Sequence, residues 1–177
     1  MTFIDVAKLR FSSRHYLRKD VEKEKIIQVI EAARVAPSAA NRQPWYFIIV
    51  QSEEKRTQLA QVYKRDWFKE APVVIIACGD HSQSWKRPFD GKDHCDVDVS
   101  IAVDHITLAA ADMGLATCWI CAFNAELCRN LFKLPQNIEP LALLSLGYPA
   151  DQADTGRHEL VRKPLNNILF WEEFEQI

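Results

Sequence analysis

Arg10, Ser12 and Arg14 stand close together in the stretch KLRFSSRHY. Guanidinium forks match the oxygen geometry of a phosphate better than lysine point charges do, and a serine hydroxyl with nearby backbone N–H groups can complete the grip. On a helix the two arginines would share a face; on an irregular segment they could still converge. Alone, such a pair more commonly makes a solvated basic surface. A second basic pair, Arg162 and Lys163, precedes Pro164, and two such clusters in a chain of net charge -2 strengthen the case for an anion site.

The stretch APSAANRQPWYFIIV, residues 36–50, carries a different chemistry. Pro37, Ser38 and Ala39 are small enough to let a ligand approach the backbone, while Asn41 and Gln43 offer amides that read a polar edge. The five glycines are too scattered to write G-x-G-x-x-G or G-x-x-x-x-G-K-[ST], so a bound phosphate would rely on arginines or a helix N-terminus. Ser38 lies in no G-x-S-x-G elbow, and the five histidines form no metal-binding spacing. CWIC, residues 118–121, could suggest a dithiol or half a zinc site joined by Cys128, Cys95 or His94. On an extended chain, however, its two cysteines point to opposite faces. The sequence therefore predicts no metal and no catalytic acid–base side chain. His105 reads as a satisfied core residue, and Asp98, Asp104 and Asp112 as capping or core-network groups.

The elements that must position these groups follow from patterning. Asp20 is placed to cap a helix that Pro37 stops. Residues 45–50 and 72–77 read as strands buried on both faces. Ser52 opens a helix with Leu59, Val62 and Tyr63 on one side. Residues 79–96 lose all periodicity and form a functional loop. An alanine- and valine-rich helix over 97–113 is central and buried. GLATCWI gives a third strand, Asn124 caps a helix to Phe132, and residues 141–147 give a fourth strand. After a polar loop, RKPLNNILFWEEF brings a large apolar load to the end of the sequence, as expected of an arm packed on a second subunit.

With 177 residues, 48% hydrophobic and 26% charged, the composition is that of one globular domain. The charge balance argues against nucleic acid and anionic membrane as partners. No apolar run reaches membrane-spanning length, and the expected setting is cytoplasmic, with the five cysteines reduced.

These pieces together resemble the nitroreductase family of FMN-dependent oxidoreductases in its short form. The carrying motifs are RFSSRHY, APSAANRQPWYF, GLATCWI, and LLSLGYP followed by a basic residue and proline, spread from about residue 6 to about residue 170. The resemblance implies an α+β nitroreductase-like fold over residues 1–177, with a central mixed sheet of four to five strands flanked by helices. It implies a homodimer binding FMN at the interface. Arg10, Ser12 and Arg14, helped by Arg162 or Lys163, would hold the phosphate and pyrimidine side. Pro37, Ser38, Ala39 and Asn41 would face the flavin ring, and Ile120, Cys121 and Ala122 would bring a backbone N–H near N5.

NADH or NADPH would reduce the flavin, and a nitroaromatic, quinone or similar flat acceptor would reoxidise it in ping-pong fashion. Trp67 and Phe123 would stack either molecule. Phe11 stands where a second arginine is common, Cys121 where glycine or glutamate is frequent, and Leu160 where a cation is usual, so Arg157 is a further phosphate candidate. Lys86, Arg87 and Lys92 are candidates for a 2′-phosphate. The rivals are a specialised flavin enzyme that dehalogenates or consumes flavin, a non-catalytic flavin-binding protein, and a thiol or metal protein built on CWIC.

Overall fold

A computed structural model describes residues 1–174; residues 175–177 of the expected domain lie outside the described residues. In chain order the elements are α1 (Phe3–Leu9), α2 (Lys23–Arg34), β1 (Trp45–Val50), α3 (Glu53–Leu59), β2 (Val73–Asp80), α4 (Cys95–Asp112), β3 (Ala116–Ile120), α5 (Ala125–Phe132), β4 (Ile138–Gly147) and α6 (Arg157–Val161). The strands form one sheet in the order β1-β2-β4-β3, and with the helices they make an α+β fold. All three pairings are antiparallel. The parallel part of the expected mixed sheet is confined to one bridge, between Ser12 and Thr117.

Alternation along the strands builds a core on each face. Val73, Ile75 and Ala77 of β2 pack with Val29 and Ala33 of α2 and with Val99, Val103 and Ile106 of α4. Val74, Ile76 and Cys78 face Leu59, Phe68 and Cys128 on the α3 and α5 side. Every residue of β2 is buried, which explains its unbroken apolar run. β1 differs from the expectation of burial on both faces. It is an edge strand, and Tyr46 is 47% exposed.

Ser52 and Asn124 cap α3 and α5 as the sequence predicts, each accepting a backbone N–H. Asp20 does not cap α2. Glu22 holds that position, and its carboxylate instead accepts the Tyr148 hydroxyl at 2.7 Å. The loop expected over 79–96 is shorter, because β2 runs on to Asp80 and α4 begins at Cys95. Phe11, Ser13 and Tyr16 belong to an extended segment, so Arg10 and Arg14 do not share a helix: α1 ends at Leu9.

Candidate functional site

The segment after α1 runs alongside β3. Ser12 bridges Thr117, and the Ser13 N–H donates to the Thr117 carbonyl at 3.1 Å. Its inward residues are locked. Ser13 is fully buried with its hydroxyl 2.7 Å from Asp151 Oδ1, and the Tyr16 hydroxyl lies 3.0 Å from the Ser13 carbonyl and 2.7 Å from Ser145 Oγ. Burial pushes the Tyr16 phenol well above its usual range, so it stays a neutral structural group. In extended chain, residues two apart lie on one side, and this is the spacing of Arg10, Ser12 and Arg14.

Ser12 and Arg14 lie near the thiol of Cys118 on β3. Burial raises that thiol's pKa, and the Arg14 charge and a Ser12 hydrogen bond partly offset the rise. The Arg14 guanidinium also sits 6.0 Å from the Trp67 ring centre. Trp67 meets Tyr63 and Phe68 edge to face and is half-buried in the same apolar cluster as Phe123. Beyond β3 the chain turns at Phe123, whose N–H returns to the Cys121 carbonyl at 3.1 Å. Ile120 is buried, whereas Cys121 and Ala122 are exposed. The N–H groups of Cys121 and Ala122 donate to no other group among the described residues.

α6 is fastened to the same corner. Arg157 donates to the Arg10 carbonyl at 2.7 Å and His158 Nε2 lies 3.1 Å from the Lys8 carbonyl. Arg157 is thus engaged in holding the segment, while Arg162 and Lys163 are exposed just beyond α6. Among the described residues none of Arg10, Arg14, Arg162 and Lys163 has a carboxylate within 4.0 Å. A cavity of about 300 Å³ adjoins Arg10, lined mainly by apolar residues such as Leu9, Phe11, Ala111, Leu115 and Pro149.

The second set, residues 37–43, lies elsewhere. Ala40, Asn41 and Gln43 have φ of 50°, 55° and 50°, left-handed conformations without a glycine among them. For alanine this costs roughly 1–2 kcal/mol, so the surroundings must impose it. Ser38 Oγ accepts the Gln43 N–H at 2.9 Å, and the Gln43 side chain donates to Asn41 Oδ1 at 3.0 Å. The Ala39 N–H donates to Asp98 Oδ1 at 2.9 Å. Asp98, on α4, is buried and its other oxygen has no partner among the described residues. Pro37, Ala40 and Asn41 are exposed, and Ser38 and Ala39 half-exposed. The sequence places Asp98 among capping or core-network groups, and its bond to the loop is of that second kind. Its tie to Ala39 spans 59 positions and has no local signal.

The two sets do not meet within one chain. The 37–43 loop precedes β1 at one sheet edge and packs with the α2–α4 face, whereas Ser12, Arg14, Trp67 and Phe123 lie at the β3 edge on or beside the opposite face. For Ser12, which bridges Thr117, the strand ends also oppose. Trp45 pairs with Gly79 at one end, while Thr117 pairs with Leu146 and that with Val73 at the other. At about 4.8 Å per strand and about 3.4 Å per residue, the two corners are on the order of 25 Å apart. CWIC does not come together either: Cys118 is buried and Cys121 exposed.

The chain as a whole, with the fold that carries these groups, is similar to known proteins. The nitroreductase family model matches residues 7–65 and 57–148. The crystal structure of a nitroreductase family protein from Clostridium difficile 630 superposes with a TM-score of 0.92 at 41% identity, covering 98% of this chain and 100% of that one. An FMN reductase [NAD(P)H] of Bacillus subtilis is 31% identical over 80% of this chain and 64% of its own length. An iodotyrosine dehalogenase 1 homolog of Caenorhabditis elegans is 28% identical over 94% of this chain and 60% of its own. With most of its length matched by the family model and its whole fold reproduced, the chain belongs to the nitroreductase family.

Proposed function

We propose that the protein is an NAD(P)H-dependent FMN oxidoreductase, a homodimer of single-domain chains over residues 1–177, whose flavin lies between the two copies. It reduces flat electrophilic acceptors such as nitroaromatics or quinones in a ping-pong cycle. The observation that carries this reading is the division of the site. Its anion-binding edge and its ring-facing loop occupy opposite corners and opposite faces of one sheet. One mononucleotide touching both takes the edge from one chain and the loop from its partner, which a twofold axis supplies twice.

The residues present fit FMN. Arg10, Arg14, Arg162 and Lys163 carry no competing carboxylate among the described residues, and Ser12 adds a hydroxyl, which suits a phosphate and a pyrimidine carbonyl edge. Pro37, Ser38 and Ala39 allow close approach of a flat ring, with Asn41 at its polar rim. The N–H groups of Cys121 and Ala122 are free to face the ring's central nitrogen. When bound, FMN supplies hydride acceptance and donation at N5, so the chain needs no acid–base pair of its own. Its residues bind, orient and exclude water. Trp67 and Phe123 give a partly exposed aromatic wall for stacking either a nicotinamide or an acceptor, and stacking discriminates weakly among flat molecules.

The terminal arm supports a dimer: Leu165, Ile168, Trp171 and Phe174 are all exposed in the single chain, an apolar surface that a partner would cover. No described helix is long and apolar enough to cross a membrane, and all five cysteines are free, which agrees with a reducing, cytoplasmic setting. Arg87 is paired with Asp90, which leaves Lys86 and Lys92 as the candidates for a 2′-phosphate.

A second reading keeps the flavin and changes the acceptor: reductive dehalogenation, favoured by the likeness to the C. elegans dehalogenase homolog along 94% of this chain. The visible spectrum of the purified protein under anaerobic NADH or NADPH tests both. A flavin band that bleaches supports the NAD(P)H reading. A band that persists with both nicotinamides but bleaches with dithionite and returns on adding a halotyrosine supports the second. No band after added FMN contradicts both.

A further inference from the structure

The loop over 81–94 carries polar groups that the flavin reading leaves unused. His81 follows β2 directly, Asp93 lies two residues before α4's first residue, and Cys95 is that first residue, so the sheet and the helix fix both ends of the cluster. One ligand atom from each side chain, an imidazole nitrogen, a carboxylate oxygen and the sulfur, lies within 4.8 Å of the other two. We propose that His81, Asp93 and Cys95 bind a divalent transition-metal ion of the zinc class, with Glu139 orienting the histidine from outside the ion.

The distances suit such an ion. Tetrahedral bonds of about 2.0–2.3 Å place neighbouring ligand atoms about 3.3–3.8 Å apart, so closing the widest gap takes about 1 Å. His81 Nδ1 lies 3.2 Å from Asp93 Oδ2, and Nε2 lies 2.9 Å from Glu139 Oε2. An imidazole that faces carboxylates through both nitrogens either carries two protons or has a cation at one of them. With Nε2–H donated to Glu139, the Nδ1 lone pair points toward Asp93, and an ion between them satisfies both. A carboxylate–histidine–metal chain of this kind fixes the tautomer and raises ligand basicity. Loop and strand cooperate in this: Ser84 holds the other oxygen of Asp93 at 2.6 Å, and that oxygen also takes the Cys95 N–H at 2.8 Å.

The sulfur is the third observation. Cys95 is fully buried and its thiol has no hydrogen-bond partner among the described residues. It is pressed against Gly79, where an added Cβ would fall 2.5 Å from Sγ, so the sulfur is held at the end of β2 beside His81. Nitrogen, oxygen and sulfur together favour zinc-class ions over magnesium or calcium. Charge points the same way. Among the described residues His81 is the one basic side chain within 4.0 Å of Asp93 or Glu139, and neighbouring Asp80 is bonded by neutral donors: Ser82, Gln83 and Asn137. The side chains of His81 and Asp93 are 37% and 30% exposed, so an ion can enter and keep a water as its fourth ligand. Binding releases the thiol proton to solvent and ties the loop to both β2 and α4. CWIC takes no part.

The test uses the full-length chain, stripped with a chelator, in a Cys121→Ser background that removes the one exposed thiol. It is titrated with cobalt(II) chloride and then zinc(II) chloride. One cobalt per chain is expected, with a thiolate-to-cobalt charge-transfer band that zinc displaces. The band disappears in Cys95→Ser, while Glu139→Gln weakens cobalt affinity about 10–100-fold and His81→Gln weakens it at least as much. Zinc raises the melting temperature of the background protein but not of His81→Gln, whose metal-free melt reports that it folds. No cobalt binding, binding without a thiolate band, an undiminished band in Cys95→Ser, or unchanged affinity in His81→Gln overturns the proposal. No flavin is needed, so this site stands or fails apart from the function proposed above.

Discussion

The segment 10–16 and the loop 37–43 serve one proposed site by opposite physical means. The first is relaxed. It is extended chain held by backbone pairing to β3, with Ser13 and Tyr16 bonded inward and Arg10, Ser12 and Arg14 at alternate positions. The second is strained, with three left-handed residues held by Ser38, by the Gln43–Asn41 contact and by one carboxylate reaching from α4. The difference suits the two ends of a flavin. A phosphate end is held by charge and tolerates long, adaptable arginines, whereas a flat ring needs a backbone surface fixed before it arrives, and strain kept by surrounding bonds provides one.

Breaking the relaxed side has the largest expected effect. Each charge-assisted bond to a phosphate contributes about 1.5–3 kcal/mol, so Arg10→Ala with Arg14→Ala together should weaken FMN binding by at least about 100-fold. Quenching of flavin fluorescence during titration measures this, and melting should hardly change because neither arginine has a carboxylate partner among the described residues.

The strained side should respond in stability as well as binding. Asp98→Ala leaves the Ala39 N–H without its acceptor and should cost about 1–3 kcal/mol, read from urea unfolding. Asp98→Asn keeps an acceptor oxygen and should cost less. Loss of FMN affinity in Asp98→Ala, rescued in part by Asp98→Asn, would separate a positioning role from a general loss of stability.

Ala40→Gly sharpens the comparison from the other direction. It relieves a left-handed alanine, and the gain is set against the larger entropy that glycine loses on folding. The expected net is a stabilisation of up to about 1 kcal/mol. The equivalent change at Ser12, in relaxed extended chain, should show no gain.

The smallest effect is with pH and concerns the core on the α3 and α5 side of the sheet. Burial holds the Cys78 thiol up at about 12, against 9.0 for an unperturbed thiol, and Cys128 at about 11. The folded chain therefore keeps protons that the unfolded chain releases. That stability is fully present below pH 9 and is lost as the pH rises through 11 to 12. Alkaline melts should show the decline, and alkylation at neutral pH should label Cys121 alone, since the other four cysteines are buried.

Local pattern made much of this legible in advance. The apolar run WYFIIV marks β1 at its observed bounds, and Ser52 and Asn124 cap the helices they precede. Exposure of β1 was not legible, because an apolar run does not state whether its strand has a neighbour on each side. Nor was the Asp20 cap correct, because α2 starts two residues later and the Glu22 carboxylate goes to Tyr148, 126 positions away. At the site, the types and spacing of Arg10, Ser12, Arg14, Pro37, Ser38 and Asn41 were readable. Their distribution over two corners was not, since it follows from strand order. The roles of Asp98 and His81 leave no local signal for the same reason: their partners, Ala39 and Glu139, are 59 and 58 positions distant.

Complementation tests the shared site most directly. An Arg10→Ala, Arg14→Ala chain and an Asn41→Ala, Asp98→Ala chain, each unable to bind FMN alone, are co-expressed and purified as a mixture. In a dimer with sites divided between chains, half of the molecules formed by random pairing are mixed, and each mixed dimer carries one intact edge facing one intact loop. About a quarter of all sites should then bind FMN and bleach with NAD(P)H. If each site lay within one chain, every site in the mixture would stay defective, and binding no better than that of the two parents would contradict the divided site.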